Sequence, residues 1–194
     1  MEYQVLLGFV FLNLFMVVGA VDLFYFHIWK YKLHTRPESR YEHKLHMTFA
    51  FLMVPLTFLL YYQDFGGIAL WGAVFFVGAA IGTEMLDVLT EGDSRASLGG
   101  LTTGEYAFHV AATILKIASF AFMFASKPAT AWGVSSEVYL GSYGWMGEMI
   151  AIKVMVGSFA VGVLHLALLN HKVAALDCKN VCDLIHCKRF ACCS

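Results

Sequence analysis

The sequence predicts an all-α integral membrane protein, a bundle of about five transmembrane helices with its N-terminus outside and its C-terminus in the cytoplasm. Hydrophobic residues make up 59% of the 194 residues and charged residues only 14%, whereas about a quarter of a soluble domain is usually charged. The apolar residues also form five runs, each close to the roughly 20 residues that a helix needs to cross a bilayer. These runs are Val5 to Trp29, Lys44 to Tyr62, Gly66 to Leu89, Glu105 to Ala125 and Met146 to Leu169.

The residues before two of these runs indicate where their helices begin. In a capping box, a Ser or Thr and a Glu three positions later satisfy the free amides of a helix start. Ser39 and Glu42 have this spacing before the second run, and Thr102 and Glu105 have it before the fourth. We therefore expect the second helix to begin near Ser39, and Glu42 and Glu105 to serve first as helix caps.

The orientation follows from the distribution of basic residues. Ten of the thirteen Lys and Arg residues belong to the first link, the third link and the C-terminal segment. Because an excess of Lys and Arg marks the cytoplasmic side, this face is predicted to be cytoplasmic. The formal net charge of −1 gives no sign of a nucleic-acid partner. The ten residues are Lys30, Lys32, Arg36, Arg40, Lys44, Arg95, Lys172, Lys179, Lys188 and Arg189.

The chain is predicted to have two parts, a five-span bundle over residues 1–171 and a cytoplasmic cysteine-rich tail over 172–194. All five cysteines lie in this tail, without the paired spacing of a standard zinc site. Palmitoylation near the membrane, or no special role, is favoured over capture of a soft metal. The cysteines are Cys178, Cys182, Cys187, Cys192 and Cys193.

Two pairs of small residues indicate where helix backbones can approach closely. Gly78 and Gly82 form one small-xxx-small pair in the third run, and Ser158 and Gly162 form another in the fifth. These pairs are consistent with a compact bundle and say nothing about its chemistry.

All eight histidines lie on the predicted cytoplasmic face, and several share a helix face with a carboxylate. His43 and His46, like Glu84 and Asp87, are three positions apart, and Glu105 is four positions from His109. Such spacings place each pair on one side of its helix. Ionisable groups within a span usually face the bundle interior, where they pair, bind a ligand or line a water path.

This pattern predicts a metal site at the cytoplasmic ends of the helices. Imidazole and carboxylate groups are ligands of iron, zinc, copper and manganese, and helical bundles hold two such ions with ligands at this spacing. One or two ions are expected, with Glu84 and Asp87 bridging the metals or acting as general base. The candidate ligands are His27, His43, His46, Glu84, Asp87, His109 and His165.

Not every histidine needs this interpretation. His34, His171 and His186 lie in links or the tail and are expected at the surface or the membrane interface. Any single interfacial histidine is also commonly an amphipathic anchor. To replace the metal site, however, that explanation would have to apply to all five histidines near the helix ends. These are His27, His43, His46, His109 and His165.

Haem b is the alternative cofactor. It would need two axial histidines on facing helices, such as His46 with His109 or His27 with His165. The carboxylates Glu84 and Asp87 are less expected beside a haem iron than beside a non-haem metal.

The leading functional hypothesis is a membrane metalloenzyme, an oxidoreductase or hydrolase whose site acts on a lipid, a quinone or another apolar small molecule. A metal-ion or proton transporter or sensor ranks lower, because the outer half of the chain offers few polar groups. Among these, Lys153 is expected to pair with Glu148 or to extend to the interface. A haem-bearing anchor or an accessory subunit of a larger membrane complex also remains open.

Overall fold

Five long helices form most of the protein, of which the computed structural model describes residues 3–170. Helices α1 and α2 are each extended by π-helical turns, Asp22–Lys30 and Phe58–Tyr62. All five segments are long and apolar enough to cross a membrane, which confirms the prediction of five helices of spanning length. The helices are α1 (Tyr3–Val21), α2 (Arg40–Thr57), α3 (Gly67–Ser94), α4 (Thr103–Ala125) and α5 (Gly144–Leu168).

The predicted tail, 172–194, and the histidines His171 and His186 lie outside the described residues. The interpretation of the five tail cysteines therefore stays a prediction.

The helices pack in a definite order. Helix α1 packs chiefly against α4, and α2 packs against both α5 and α3. Apolar side chains fill the space between the helices, whereas many other large apolar side chains of the same helices are exposed on the outside of the bundle. Fully buried members of this core include Leu12, Met53, Leu56, Leu60, Leu70 and Met123. The packing brings the helix ends that carry the histidines to one end of the bundle, called here the histidine end.

The opposite end is closed by a small antiparallel ribbon. Strand β1 (Asp64–Phe65) follows α2, and β2 (Tyr139–Gly141) precedes α5. Gly67 follows this ribbon with a φ of +57°, and a Cβ there would lie 2.4 Å from the carbonyl oxygen of Ser136. This turn therefore needs glycine for both conformation and space.

A buried ion pair fixes the loop after α4 to this ribbon. The Lys127 ammonium donates to Asp64 at 2.5 Å and to the Tyr143 hydroxyl at 2.7 Å. Burial lowers the pKa of Lys127, although the Asp64 carboxylate favours the charged form. Burial, together with the charge of Asp64, raises the pKa of Tyr143 above its usual value. The three groups hold the start of α5 against the end of α2.

Neither of the two predicted capping boxes forms in full. The Ser39 hydroxyl donates to the carbonyl of Ser94 at 3.1 Å and gives α2 no side-chain cap. Thr102 does cap α4, accepting from the Glu105 amide at 3.4 Å. Both glutamates of the predicted boxes, Glu42 and Glu105, instead turn to a buried arginine described below, because a buried guanidinium needs carboxylate partners.

Two further expectations from the sequence are corrected. Lys153 contacts the side-chain oxygen of Asn13 on α1, and Glu148 accepts from Gln63 and Ser142 instead of pairing with Lys153. His34 was expected at the surface, yet it is only 9% exposed. The first link folds back in two short 3₁₀ turns, Leu33–Thr35 and Pro37–Ser39, and this buries His34.

The two small-residue pairs differ in what they face. A Cβ on Gly162 would lie 2.8 to 3.0 Å from three ring atoms of Phe51 on α2, whereas a Cβ on Gly78 or Gly82 would meet nothing within 4 Å. Within the described chain, only the pair on α5 marks a close helix contact.

We predict that Gly162→Val destabilises the protein by about 1–3 kcal/mol, because the added methyl groups overpack the contact of α5 with Phe51. Gly82→Val introduces the same side chain on an open helix face and should change stability by no more than about 0.5 kcal/mol. Thermal unfolding in detergent, followed by circular dichroism, measures both. Equal losses in the two variants would contradict this packing.

Candidate metal centre

The π-helical end of the first span brings two site residues together. Asp22 and His27 are five positions apart, which in an α-helix of 3.6 residues per turn would separate them by about 140° around the axis. The wider π-helical turn bonds residue i to i+5 and aligns them on one face. His27 Nε2 consequently lies 3.5 Å from Asp22 Oδ2. Wide turns of this kind often occur at functional sites.

Three other helices present aligned pairs at the same height. Each pair is four positions apart, so both members lie on one helix face. Both members of each pair belong to the same group of ionic contacts around His27. The pairs are Glu42 and His46 on α2, Asp87 and Glu91 on α3, and Glu105 and His109 on α4.

Arg95, which follows the last residue of α3, is the fully buried centre of the polar network. It donates to both oxygens of Glu42 at 2.5 and 3.0 Å, and twice to Glu105 Oε1 at 3.0 and 2.5 Å. Burial alone would lower the pKa of Arg95, but the hydrogen bonds to Glu42 and Glu105 outweigh it and hold that pKa above its usual value. The guanidinium thus joins α2, α3 and α4 as a permanent cation.

Asp22, His27 and His109 form the arrangement best suited to a metal ion. Their donor atoms lie within 4.8 Å of one another, with Asp22 Oδ2 lying 3.0 Å from His109 Nε2. Metal–ligand bonds of about 2.0–2.2 Å allow ligand atoms to be separated by up to about 4.4 Å, and the separations of Asp22 Oδ2 from His27 Nε2, 3.5 Å, and from His109 Nε2 are below this limit. Two imidazoles and one carboxylate are also the donor set of many non-haem iron sites.

The donor atoms of these two histidines are not used in hydrogen bonds. Within residues 3–170, His27 Nε2 and His109 Nε2 are buried and have no hydrogen-bond partner, although each lies near Asp22. His109 Nε2 lies 3.0 Å from Asp22 Oδ2, a hydrogen-bond distance, but the two groups do not have the angles of a hydrogen bond. Ring nitrogens that make no hydrogen bond are available as metal ligands when they are deprotonated.

Two further groups of donors overlap with this one. One contains His27, Glu42 and His46, and the other contains Glu91, Glu105 and His109. Because they share His27 and His109 with the first group, the three groups are not three independent sites. Glu42 is also held at both oxygens by Arg95.

Unpartnered polar atoms are unusually dense at this end. Buried polar groups in folded proteins almost always have hydrogen-bond partners, since an unsatisfied one costs about 1–3 kcal/mol. Eight buried side-chain atoms here lack one within the described chain. They are Asp22 Oδ1, His27 Nε2, His43 Nε2, Asp87 Oδ1, Glu91 Oε1, Glu105 Oε2, His109 Nε2 and His165 Nε2.

The net charge of the network depends on how its groups are protonated. Five carboxyl groups belong to the ionic contacts that include a single arginine, so four negative charges remain if all five are ionised and the histidines are neutral. Burying uncompensated charge costs several kcal/mol per ion. Protons on the carboxyl groups or the histidines, or bound cations, can offset this charge.

His43 and His165 form a separate pair beside the cluster. Their Nδ1 atoms are 2.9 Å apart, and both side chains are buried. The ring of His165 also lies 5.4 Å from that of His46, measured between centroids. These two predicted ligands adjoin the cluster without belonging to any of the three donor groups.

The two carboxylates predicted to be catalytic differ in their surroundings. Asp87 Oδ2 lies 3.1 Å from His46 Nε2, within hydrogen-bond distance. Glu84 instead forms an ion pair with Lys116 and accepts from the Thr113 hydroxyl at 2.7 Å. The structure thus brings Asp87 to the histidines and Glu84 to α4, about one turn further along the bundle.

Of the seven predicted ligands, His27, His46, Asp87 and His109 come together. The predicted ligands did not include the other members of this cluster, which are Asp22, Glu42, Glu91, Arg95 and Glu105. Helix α3 extends beyond the predicted end at Leu89 to Ser94. Glu91 lies four residues after Asp87, on the same face of α3, so helical spacing could have identified it from the sequence.

A cavity of about 190 Å³ leads from the cluster into the bundle. Asp22, His46, Asp87, His109 and His165 contribute to its wall at the histidine end. Aromatic and aliphatic side chains form most of the remaining wall, including Phe15, Met16, Phe49, Ala50 and Met53. The site is therefore reached through an apolar space.

Comparisons with known protein families, curated proteins and solved structures find no match for this chain.

We predict that Arg95→Met lowers stability by about 3–5 kcal/mol, because it leaves Glu42 and Glu105 buried without their shared partner. Adding Glu42→Gln to this variant removes one uncompensated charge and should restore part of the loss. Unfolding of the detergent-solubilised variants measures both effects.

Arg36→Met is the matched control, since Arg36 lies at the same end and bonds to the exposed Ser97. A loss in Arg36→Met as large as that in Arg95→Met would contradict the central role of the buried network.

Proposed function

We propose that this chain is an integral membrane metalloprotein whose non-haem site acts as an oxidoreductase or hydrolase on a lipid, a quinone or another apolar molecule. The observation that carries the proposal is the buried cluster of histidines and carboxylates whose unpartnered donor atoms border an apolar cavity. In this proposal the histidine end faces the cytoplasm, in keeping with the distribution of basic residues.

Asp22, His27 and His109 would hold one ion, and His46 and Asp87 are placed to contribute to a second. A bound iron, zinc, copper or manganese ion would act as a Lewis acid, and the redox-active metals among them would add electron transfer. Two divalent ions would also balance the four negative charges that Arg95 leaves uncompensated.

The chain's own residues have separable roles in this proposal. Asp87 lines the cavity, and its Oδ1 has no hydrogen-bond partner within the described chain, so it can accept a proton from a molecule bound there. His46 contacts the other oxygen of Asp87 and orients the carboxylate. Arg95 fixes Glu42 and Glu105 at the rear of the site.

The geometry favours a non-haem metal over haem b. The rings of His27 and His46 are 4.9 Å apart and those of His27 and His109 are 5.8 Å apart, between centroids. A porphyrin must lie between its two axial rings. Here the histidine rings contact one another and the carboxylates between them, which favours individual ions.

A transporter is the weaker alternative. The bundle between the histidine end and the opposite end is filled by apolar side chains, among them Leu12, Leu56 and Leu60, all fully buried. An ion crossing the protein would need this layer to open.

We predict that detergent-purified protein contains about one or two equivalents of iron, zinc, copper or manganese. Asp22→Asn combined with His109→Ala should remove most of that metal, because both donors of the best-formed group are lost. Elemental analysis measures the content, and an absorption spectrum detects a haem Soret band.

His34→Ala is the matched control, a buried histidine at the same end that belongs to none of the three donor groups. Its metal content should equal that of the unmodified protein. Absence of metal from gently purified protein would contradict the proposal. A Soret band would show that the cofactor is haem instead of a non-haem metal.

Removal of the metal should also destabilise the fold. A ligand that binds only the folded state stabilises it by about 2.7 kcal/mol at a hundredfold excess over its dissociation constant. We therefore expect a chelator to lower the melting temperature of the unmodified protein and to leave that of Asp22→Asn/His109→Ala unchanged. An equal shift in both proteins would show that the chelator acts elsewhere.

A further inference from the structure

We propose that the cavity opens sideways into the bilayer between α1, α3 and α4, and that it binds one hydrocarbon chain of a membrane lipid. A substrate would then reach the metal centre from the lipid phase. This inference rests on the proposed function for its membrane setting and its metal, but chain binding is measurable separately from either.

The wall of the cavity is suited to a hydrocarbon chain. Phe15, Met16, Phe49 and Met53 form much of it, and Met53 is only 1% exposed. An apolar chain gains about 0.8 kcal/mol for each methylene removed from water. A hydrocarbon chain that enters the cavity from the lipid phase gains less free energy than this, because it is already out of water. Its binding must therefore depend on packing against these side chains.

Two residues mark the mouth. Phe24, in the extension of α1, and Val88, on α3, both line the cavity, yet they are 54% and 58% exposed on the outer surface of the bundle. Helix α3 packs chiefly on α2, whereas α4 packs chiefly on α1. The contact between α3 and α4 is therefore sparse in the described chain, and the cavity reaches the surface there.

A polar bridge limits the mouth toward the middle of the bundle. Glu84, one turn before Val88 on α3, pairs with the buried Lys116 on α4 and accepts from Thr113. The Lys116 ammonium also lies 4.7 Å from the centre of the Phe49 ring. Glu84, Thr113 and Lys116 themselves line the cavity. This part of the wall is therefore polar, and the bridge from α3 to α4 limits the opening to the level of the proposed metal centre.

The size of the cavity indicates how much of a lipid enters. Its volume is about 190 Å³, below the roughly 300–1,000 Å³ of pockets that enclose a whole small molecule. Part of one chain fits, while the head group and the remaining hydrocarbon stay in the bilayer. Because the mouth lies beside His109 and Asp87, the chain passes the metal-binding groups as it enters.

The first test uses the unmodified protein in vesicles of phosphatidylcholine and phosphatidylglycerol that contain a fatty acid with a photoactivatable diazirine in its chain. We expect illumination to label Met53, which lines the cavity, and not Leu56, which is equally buried on the same helix but lies outside the cavity wall. Mass spectrometry of the peptides locates the label. Label confined to the exposed outer faces of the helices would overturn the proposal.

The second test closes the mouth. Val88→Trp should abolish labelling of Met53, whereas Leu89→Trp, the next residue, is 73% exposed and does not line the cavity, so labelling should persist. Metal content should be unchanged in both variants. Persistent labelling of Met53 in Val88→Trp would show that the chain enters elsewhere and would overturn the lateral mouth.

Metal content keeps this proposal separate from the proposed function. Labelled Met53 in a protein without metal would support chain binding and reject the metalloprotein. Metal without labelled Met53 would reject chain binding and leave the metal centre standing. Competition by unlabelled fatty acid, compared with a quinone of similar length, then identifies the preferred chain.

Discussion

The histidine end of this protein is organised around the pairing of one buried guanidinium with two carboxylates. Arg95 is fully buried and joins Glu42 on α2 to Glu105 on α4. A cation in this position must be paired, and its partners must come from helices that are distant in sequence. The pairing therefore fixes the relative height of three helices. It also leaves three neighbouring carboxyl groups, those of Asp22, Asp87 and Glu91, to be offset by protons or by bound cations.

Local helix geometry and tertiary packing contribute differently to the site. Spacings of four residues align Glu42 with His46 and Glu105 with His109, as regular helices require. Asp22 and His27 need the wider π-helical turn instead. Such a turn lowers the regularity of the helix and is retained where the surroundings stabilise it. Here, the contacts of Asp22 with His109 and of His27 with Glu42 provide that stabilisation.

The position of the cluster beside an apolar cavity links its electrostatics to its chemistry. Charged groups interact more strongly in an apolar medium than in water, so the mostly apolar wall of the cavity strengthens the ionic contacts of Asp22, His46, Asp87 and His109 that border it. The same packing that places α3 on α2 and α4 on α1 leaves the space between α3 and α4. The ion pair of Glu84 with Lys116 bridges part of that space. The packing of the five helices thus accounts for the position of the polar cluster, for the cavity beside it and for the ion pair that borders this cavity.

The sequence alone determined the five helices of spanning length, because the length and hydropathy of each run are local properties. It also predicted that His27, His46, Asp87 and His109 lie at comparable heights, since each lies toward the predicted cytoplasmic end of its helix. Only the tertiary structure decided which groups meet. Glu84 and Asp87 share a helix face, yet Glu84 pairs with Lys116 and Asp87 contacts His46. Glu42 and Glu105 have the spacing of helix caps, but their side chains bind Arg95 instead, because Arg95 is buried between them. Helical periodicity fixes the direction of a side chain on its own helix, whereas its partner depends on the packing of helices far apart in the chain.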